Sequence, residues 1–93
     1  MPSIRVPSAL RNLTKGAADV DVAAQNVRDA LAELDKLHPG IAARVLDAGG
    51  GVRPFIKIFV GGEDIGELGG LDAAVTAKDE IAIVPAIAGG AGA

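Results

Sequence analysis

The sequence predicts an α+β fold: one main helix laid across a mixed sheet of four to five strands. Three observations carry that expectation. Apolar and polar residues alternate at 3–7 and 19–22, as they do in half-buried strands. Between residues 26 and 38 the apolar spacing changes to three and four, the period of a helix. Beyond residue 53 the apolar character returns in two β-rich runs, separated by glycine-rich turns.

Ser3-Ile4-Arg5-Val6-Pro7 reads as the first strand, and the polar stretch Asn12 to Gly16 as a loop. Asp19 to Val22 pairs back to make a hairpin, with Ile4, Val6, Val20 and Val22 on the covered face. The main helix spans Asn26 to His38. Asn26 supplies an N-cap and Asp29 a negative charge in the first turn. Val27, Ala30, Leu31, Leu34 and Leu37 form its apolar stripe, and Pro39-Gly40 stops it. His38 closes the helix, since one histidine without any cysteine makes no metal site.

A second short helical turn is expected over Ile41 to Leu46, ended by Ala48-Gly49-Gly50-Gly51. Arg53 to Val60 is the third strand, Gly61-Gly62 a hairpin turn, and Glu63 to Leu68 a short edge strand. Leu71 to Val75 forms one more helical turn and Ala77 to Glu80 a polar bend. The last strand runs from Glu80 to Ala86. The order is therefore β-β-α-β-β-(short helix)-β, with residues 1–87 as one domain and 88–93 as a flexible C-terminal tail.

Ninety-three residues suffice for one domain and not two. Hydrophobic residues make up 49% of the chain, yet Trp, Tyr and Cys are absent and Phe occurs twice. The core must be built from Val, Ile, Leu and Ala, without a disulfide. That composition, together with an N-terminus lacking a signal-peptide apolar region, leads us to expect a cytoplasmic protein. No run approaches the ~20 apolar residues needed to span a bilayer. A net charge of -3 without a basic stripe argues against nucleic acid as a partner.

Enzymatic constellations are missing. The chain has no cysteine nucleophile and no His–carboxylate pair at a useful spacing. Gly49-Gly50-Gly51 lacks the Lys-Ser/Thr and helix start of a phosphate loop, so it reads as a flexible connection. No metal ligands and no bound cofactor are expected, and the chain is not expected to be an enzyme.

The unusual feature is the end, Pro85-Ala86-Ile87-Ala88-Gly89-Gly90-Ala91-Gly92-Ala93, where nothing after Ile87 is larger than a methyl group. Such a segment can thread into a narrow site, because glycine lets the backbone approach a catalytic centre closely. The stretch Ile83-Val84-Pro85-Ala86-Ile87-Ala88-Gly89-Gly90 resembles the last strand and tail of the MoaD/ThiS sulfur-carrier family. Within that family the similarity is greatest to the CysO branch, which serves cysteine synthesis. Ser3 to Pro7 with Leu10-Arg11 agrees with it, as do Pro39-Gly40-Ile41 with Arg44, and Phe59-Val60 through Glu63-Asp64-Ile65. Gly69-Gly70-Leu71 and Asp79 complete the match, in order and at matching spacing up to Gly90.

The resemblance implies a ubiquitin-like β-grasp fold and a carrier cycle. An E1-like enzyme would use ATP to adenylate the Gly90 carboxylate, and a sulfur donor would displace AMP to leave a thiocarboxylate. Ala88 and Gly89 would thread through the partners' sites. The acceptor in the CysO branch is a cysteine synthase that owns its pyridoxal phosphate. This chain departs from the family in continuing past Gly90 with Ala91-Gly92-Ala93. Some family members carry such extensions and depend on a JAMM-type zinc peptidase, so cleavage between Gly90 and Ala91 is expected before activation.

The third strand offers a second candidate. If Ile56, Ile58 and Val60 face the helix, then Phe55, Lys57 and Phe59 point away from it. Ala82, Val84 and Ala86 would join them if the last strand pairs alongside. Phe55, Phe59 and Val84 then form an apolar patch, and in ubiquitin-like folds this face docks the activating enzyme. Two other roles fit the same tail: the small subunit of molybdopterin synthase, and a ubiquitin-like modifier joined to lysine amines.

Overall fold

Ile4 lies fully buried between charged or polar neighbours, so the first strand can pair on both edges while covering one face. This strand, β1 (Ser3–Arg5), pairs antiparallel with β2 (Asp19–Asp21), Ile4 standing opposite Val20. Further along the chain come β3 (Ile56–Val60), β4 (Glu63–Asp64) and β5 (Glu80–Pro85). The five strands form one sheet in the order β2-β1-β5-β3-β4. Only β1 and β5 run parallel; β5 is antiparallel to β3, and β3 to β4. The computed structural model describes residues 1–85, so the domain boundary expected at Ile87 and the tail 88–93 lie outside the described residues.

The main helix, α1 (Val27–Leu37), begins where expected. Asn26 caps it by accepting a 2.7 Å hydrogen bond from the Asp29 N–H through its side-chain oxygen. Val27, Ala30, Leu31 and Leu34 are buried against the sheet. Leu37 is not: it is 57% exposed. It shares a helix face with Ala30 but stands two turns, ~10 Å, further along the axis, past the end of the core. His38 ends the helix by donating its N–H to Leu34 O, and Gly40 follows at φ 102, a conformation in which a β-carbon is strained. The short α2 (Ala42–Val45) sits within the stretch expected to be helical.

One cluster holds Ile4, Val6, Val22, Ile56, Ile58, Val60, Ile81 and Ile83 against the buried face of α1. Each such side chain contributes ~1.5–3 kcal/mol by leaving water. Aliphatic packing therefore carries the fold, as the composition requires.

Several expected elements are shorter or of another type. The stretch read as a loop at Asn12 to Gly16 is the end of a 3₁₀ helix, Ser8–Thr14. Leu10 and Thr14 are buried there, and the Thr14 hydroxyl lies 2.8 Å from Ala17 O. Polar composition concealed this because a 3₁₀ turn needs only a residue or two facing inward. The third strand starts at Ile56 rather than Arg53, since Arg53–Phe55 form a turn closed by the Ile56 N–H on Arg53 O. Pro54 has no N–H to offer a ladder.

Gly61 and Gly62, at φ 58 and 89, make the two-residue hairpin that joins β3 to β4. The edge strand ends after two residues, because Asp64 turns its side chain back to accept from Gly66 N–H and starts a 3₁₀ turn, Ile65–Glu67. Another 3₁₀ turn, Gly70–Asp72, replaces the helical turn expected up to Val75. The Ala48–Gly51 stretch is a closed turn: Asp47 Oδ1 accepts from both Gly49 and Gly51 N–H, and Leu46 bridges Val52.

Candidate functional site

The last described strand, β5, is the middle strand of the sheet, flanked by β1 and β3. A middle strand is held on both edges, so the position of Pro85 is fixed by the whole sheet. Pro85 stands opposite Ile56 at the end of that strand, where its missing N–H suits the last position of a ladder.

Alternation along β5 assigns its two faces. Ile81 and Ile83 are buried under α1, whereas Val84 is 41% exposed. On the outer face Ala82 pairs with Phe59 and Val84 with Lys57. Phe59 and Val84 are thus diagonal neighbours, close enough for side-chain contact, as the sequence reading requires. Charges frame them. Arg5, beside Ala82, lies 3.2 Å from Asp19 and 3.9 Å from Glu80. Lys57 Nζ lies 4.0 Å from Asp64 Oδ2. The apolar part of this face is therefore small and ringed by ion pairs, the layout of an interface centre with a polar rim.

Phe55 is placed differently from the expectation. It precedes β3 and, although 38% exposed, lines a groove on the helix side of the sheet's end. Leu10, Ile56 and Pro85 form the groove's floor, and Arg44 and Arg53 its rim. Its volume is about 390 Å³. The turn at Asp47–Gly51 brings the two arginines together, with Arg53 N–H bonded to Val45 O across it. The Arg53 guanidinium is held in place by Nε and Nη2 donating to Ala43 O at 3.0 and 2.8 Å. Sequence reading did not bring these arginines together. The usable signal was the glycine turn between Val45-Leu46 and Val52, a hairpin that folds position 53 back beside 44 and 45.

The other expected site residues, Ala88, Gly89, Gly90 and the Gly90–Ala91 bond, lie outside the described residues. Among the described residues no group of three or more His, Asp or Glu side chains is arranged to hold a metal ion. No helix among them is long and apolar enough to cross a membrane.

A five-stranded mixed sheet gripping one helix, with its last strand parallel to the first in the middle of the sheet, defines a ubiquitin-like β-grasp protein. Residues 4–90 match the model of the ThiS family, and the chain belongs to that family. It is 31% identical over 90 residues to the sulfur carrier protein CysO of Mycobacterium tuberculosis, covering 95% of this chain and 97% of that protein. A chain in the crystal structure of the Amycolatopsis orientalis BexX/CysO complex superposes with a TM-score of 0.88 at 30% identity. That match covers 92% of this chain and 96% of the other. The small archaeal modifier protein 1 of Haloferax volcanii matches with a TM-score of 0.72 at 29% identity, over 90% of this chain and 94% of its own.

Proposed function

We propose that this chain is a sulfur carrier, a protein co-substrate rather than an enzyme, that delivers sulfur from Gly90. The observation that carries this reading is the family match, which runs through the whole fold and ends at residue 90, the second glycine of the pair. The similarity to CysO proteins supports the same reading.

The chemistry needs a partner. A carboxylate is a poor electrophile, so an E1-like enzyme joins the Gly90 carboxylate to the α-phosphate of ATP and releases pyrophosphate. A sulfur donor then attacks the acyl carbon, AMP leaves, and a thiocarboxylate remains. The chain contains no cysteine, so the terminus itself carries the sulfur. The acceptor is a pyridoxal-phosphate enzyme of the cysteine-synthase type, which brings its own cofactor. β5 is held on both edges up to Pro85, with Val84 and Phe59 on its outer face, and residues no larger than alanine beyond Ile87 suit entry into a narrow site.

In the sequence Gly90 is followed by Ala91, so its carboxylate is freed only when the Gly90–Ala91 bond is cut, the step we assign to a JAMM-type zinc peptidase. The test is reconstitution with the activating enzyme, ATP and a sulfide source, with and without the peptidase. A thiocarboxylate should appear only on chains ending at Gly90. Its appearance on the 93-residue chain would overturn the processing step. Its absence from trimmed chains would overturn the carrier role.

The similarity to small archaeal modifier protein 1 favours one second reading, in which activated Gly90 is joined to lysine amines of other proteins. Isopeptide adducts in cells would distinguish it.

A further inference from the structure

We propose that the groove beneath Pro85 docks the activating enzyme, receiving a segment of that enzyme that carries an apolar side chain next to acidic ones. This inference rests on the carrier role above and adds to it the surface and the chemistry of the partner.

Position is the first argument. Pro85 ends the described part of β5 and lines the groove, five residues before Gly90 in the sequence, so an enzyme acting on Gly90 works within about 17 Å of this site. Pro85 and Ile56 are paired on the helix side of the sheet, opposite in facing to Val84 and Phe59. A partner holding both surfaces grips the end of β5 from its two faces.

Charge is the second argument. The chain as a whole is acidic, at -3, yet the groove is lined by two arginines and no carboxylate. Arg5 and Arg28 are each paired with aspartates on this protein. Arg44 is exposed and makes no ion pair among the described residues. Arg53 is held by Ala43 O through one edge of its guanidinium, which leaves N–H groups of the other edge for a carboxylate. A cation already fixed in place loses little freedom on binding. The floor of Leu10, Ile56 and Pro85, with Phe55 beside it, supplies the apolar half of the match. Arginine beside aromatic and aliphatic surface is the composition of an interface hot spot.

The occupant is therefore acidic and apolar together. A purely apolar segment would leave both guanidinium groups facing nothing, and a purely acidic one would leave the floor uncovered.

The experiment titrates the full chain into the purified adenylating enzyme of the same genome, at low and at physiological salt. The unaltered chain is compared with Arg44→Glu, Arg53→Glu and Lys36→Glu. The last makes the same change in net charge on exposed α1, away from the groove. Arg44→Glu and Arg53→Glu should each weaken Kd about tenfold, chiefly through slower association, with the difference shrinking as salt rises. Lys36→Glu should change it little. The Arg44 side chain makes no hydrogen bond or ion pair among the described residues, so its variant remains informative even if loss of the Ala43 contact unfolds Arg53→Glu. Unchanged affinity in Arg44→Glu, or an equal loss in Lys36→Glu, overturns the groove while leaving the carrier role standing. An unaltered chain that fails to bind at all overturns both.

Discussion

Replacing Ile83 by alanine tests the register on which every surface assignment depends. Ile83 is 2% exposed and stands opposite Ile58, itself 1% exposed, in the middle of the core. The substitution removes three carbons from a buried, apolar site. At ~0.8 kcal/mol each, the transfer loss is about 2.4 kcal/mol. Incomplete collapse of the cavity brings the total to about 3–4 kcal/mol. For a domain of this size that lowers the melting temperature on the order of 15–25 °C. Val84→Ala, one residue along and 41% exposed, should cost less than about 1 kcal/mol. With no Trp or Tyr available, urea unfolding must be followed by circular dichroism. The midpoint should fall sharply for Ile83→Ala alone, with an unchanged slope. Equal losses, or a larger one at Val84, would mean that β5 is slipped by one residue and that the two faces are exchanged.

Three further outcomes follow from named contacts. Asn26→Ala removes the cap on Asp29 N–H and should cost about 1 kcal/mol in the same urea assay. Thr14→Val takes a 2.8 Å hydrogen bond from Ala17 O at a buried site and should cost about 1–3 kcal/mol. Phe59→Lys puts a cation on the outer face directly opposite Asp64, which offsets part of the lost burial. That variant should keep a cooperative melt, while kcat/KM for adenylation of chains ending at Gly90 falls about tenfold. Normal activation kinetics would remove the outer face from the docking surface.

Much of the fold is legible in the sequence because it is written in long periodic signals. The 3–4 spacing from Val27 to Leu34, the Asn26 cap and the Gly61-Gly62 turn each have a single good structural solution. Short 3₁₀ pieces are not legible in the same way. Leu10 and Thr14 enter the core from a segment whose composition is that of a loop, and no period announces them. Leu37 misled for the opposite reason, since a helical stripe gives direction around the axis but not where the sheet beneath it ends. Alternation along β3 placed Phe59 correctly. It misplaced Phe55, because Pro54 and the Arg53–Phe55 turn begin the strand later than the apolar run does. The placing of Arg44 and Arg53 along one groove depends on a turn fixed by Asp47, a contact that sequence spacing alone does not specify.

The central claim is that Gly90 becomes a sulfur-bearing terminus once the residues beyond it are removed. The most direct measurement is the intact mass of the protein recovered from its native host. The account predicts a chain ending at Gly90, with part of the population heavier by the exchange of one oxygen for sulfur. A population that retains Ala91-Gly92-Ala93 throughout and contains no added sulfur would contradict it.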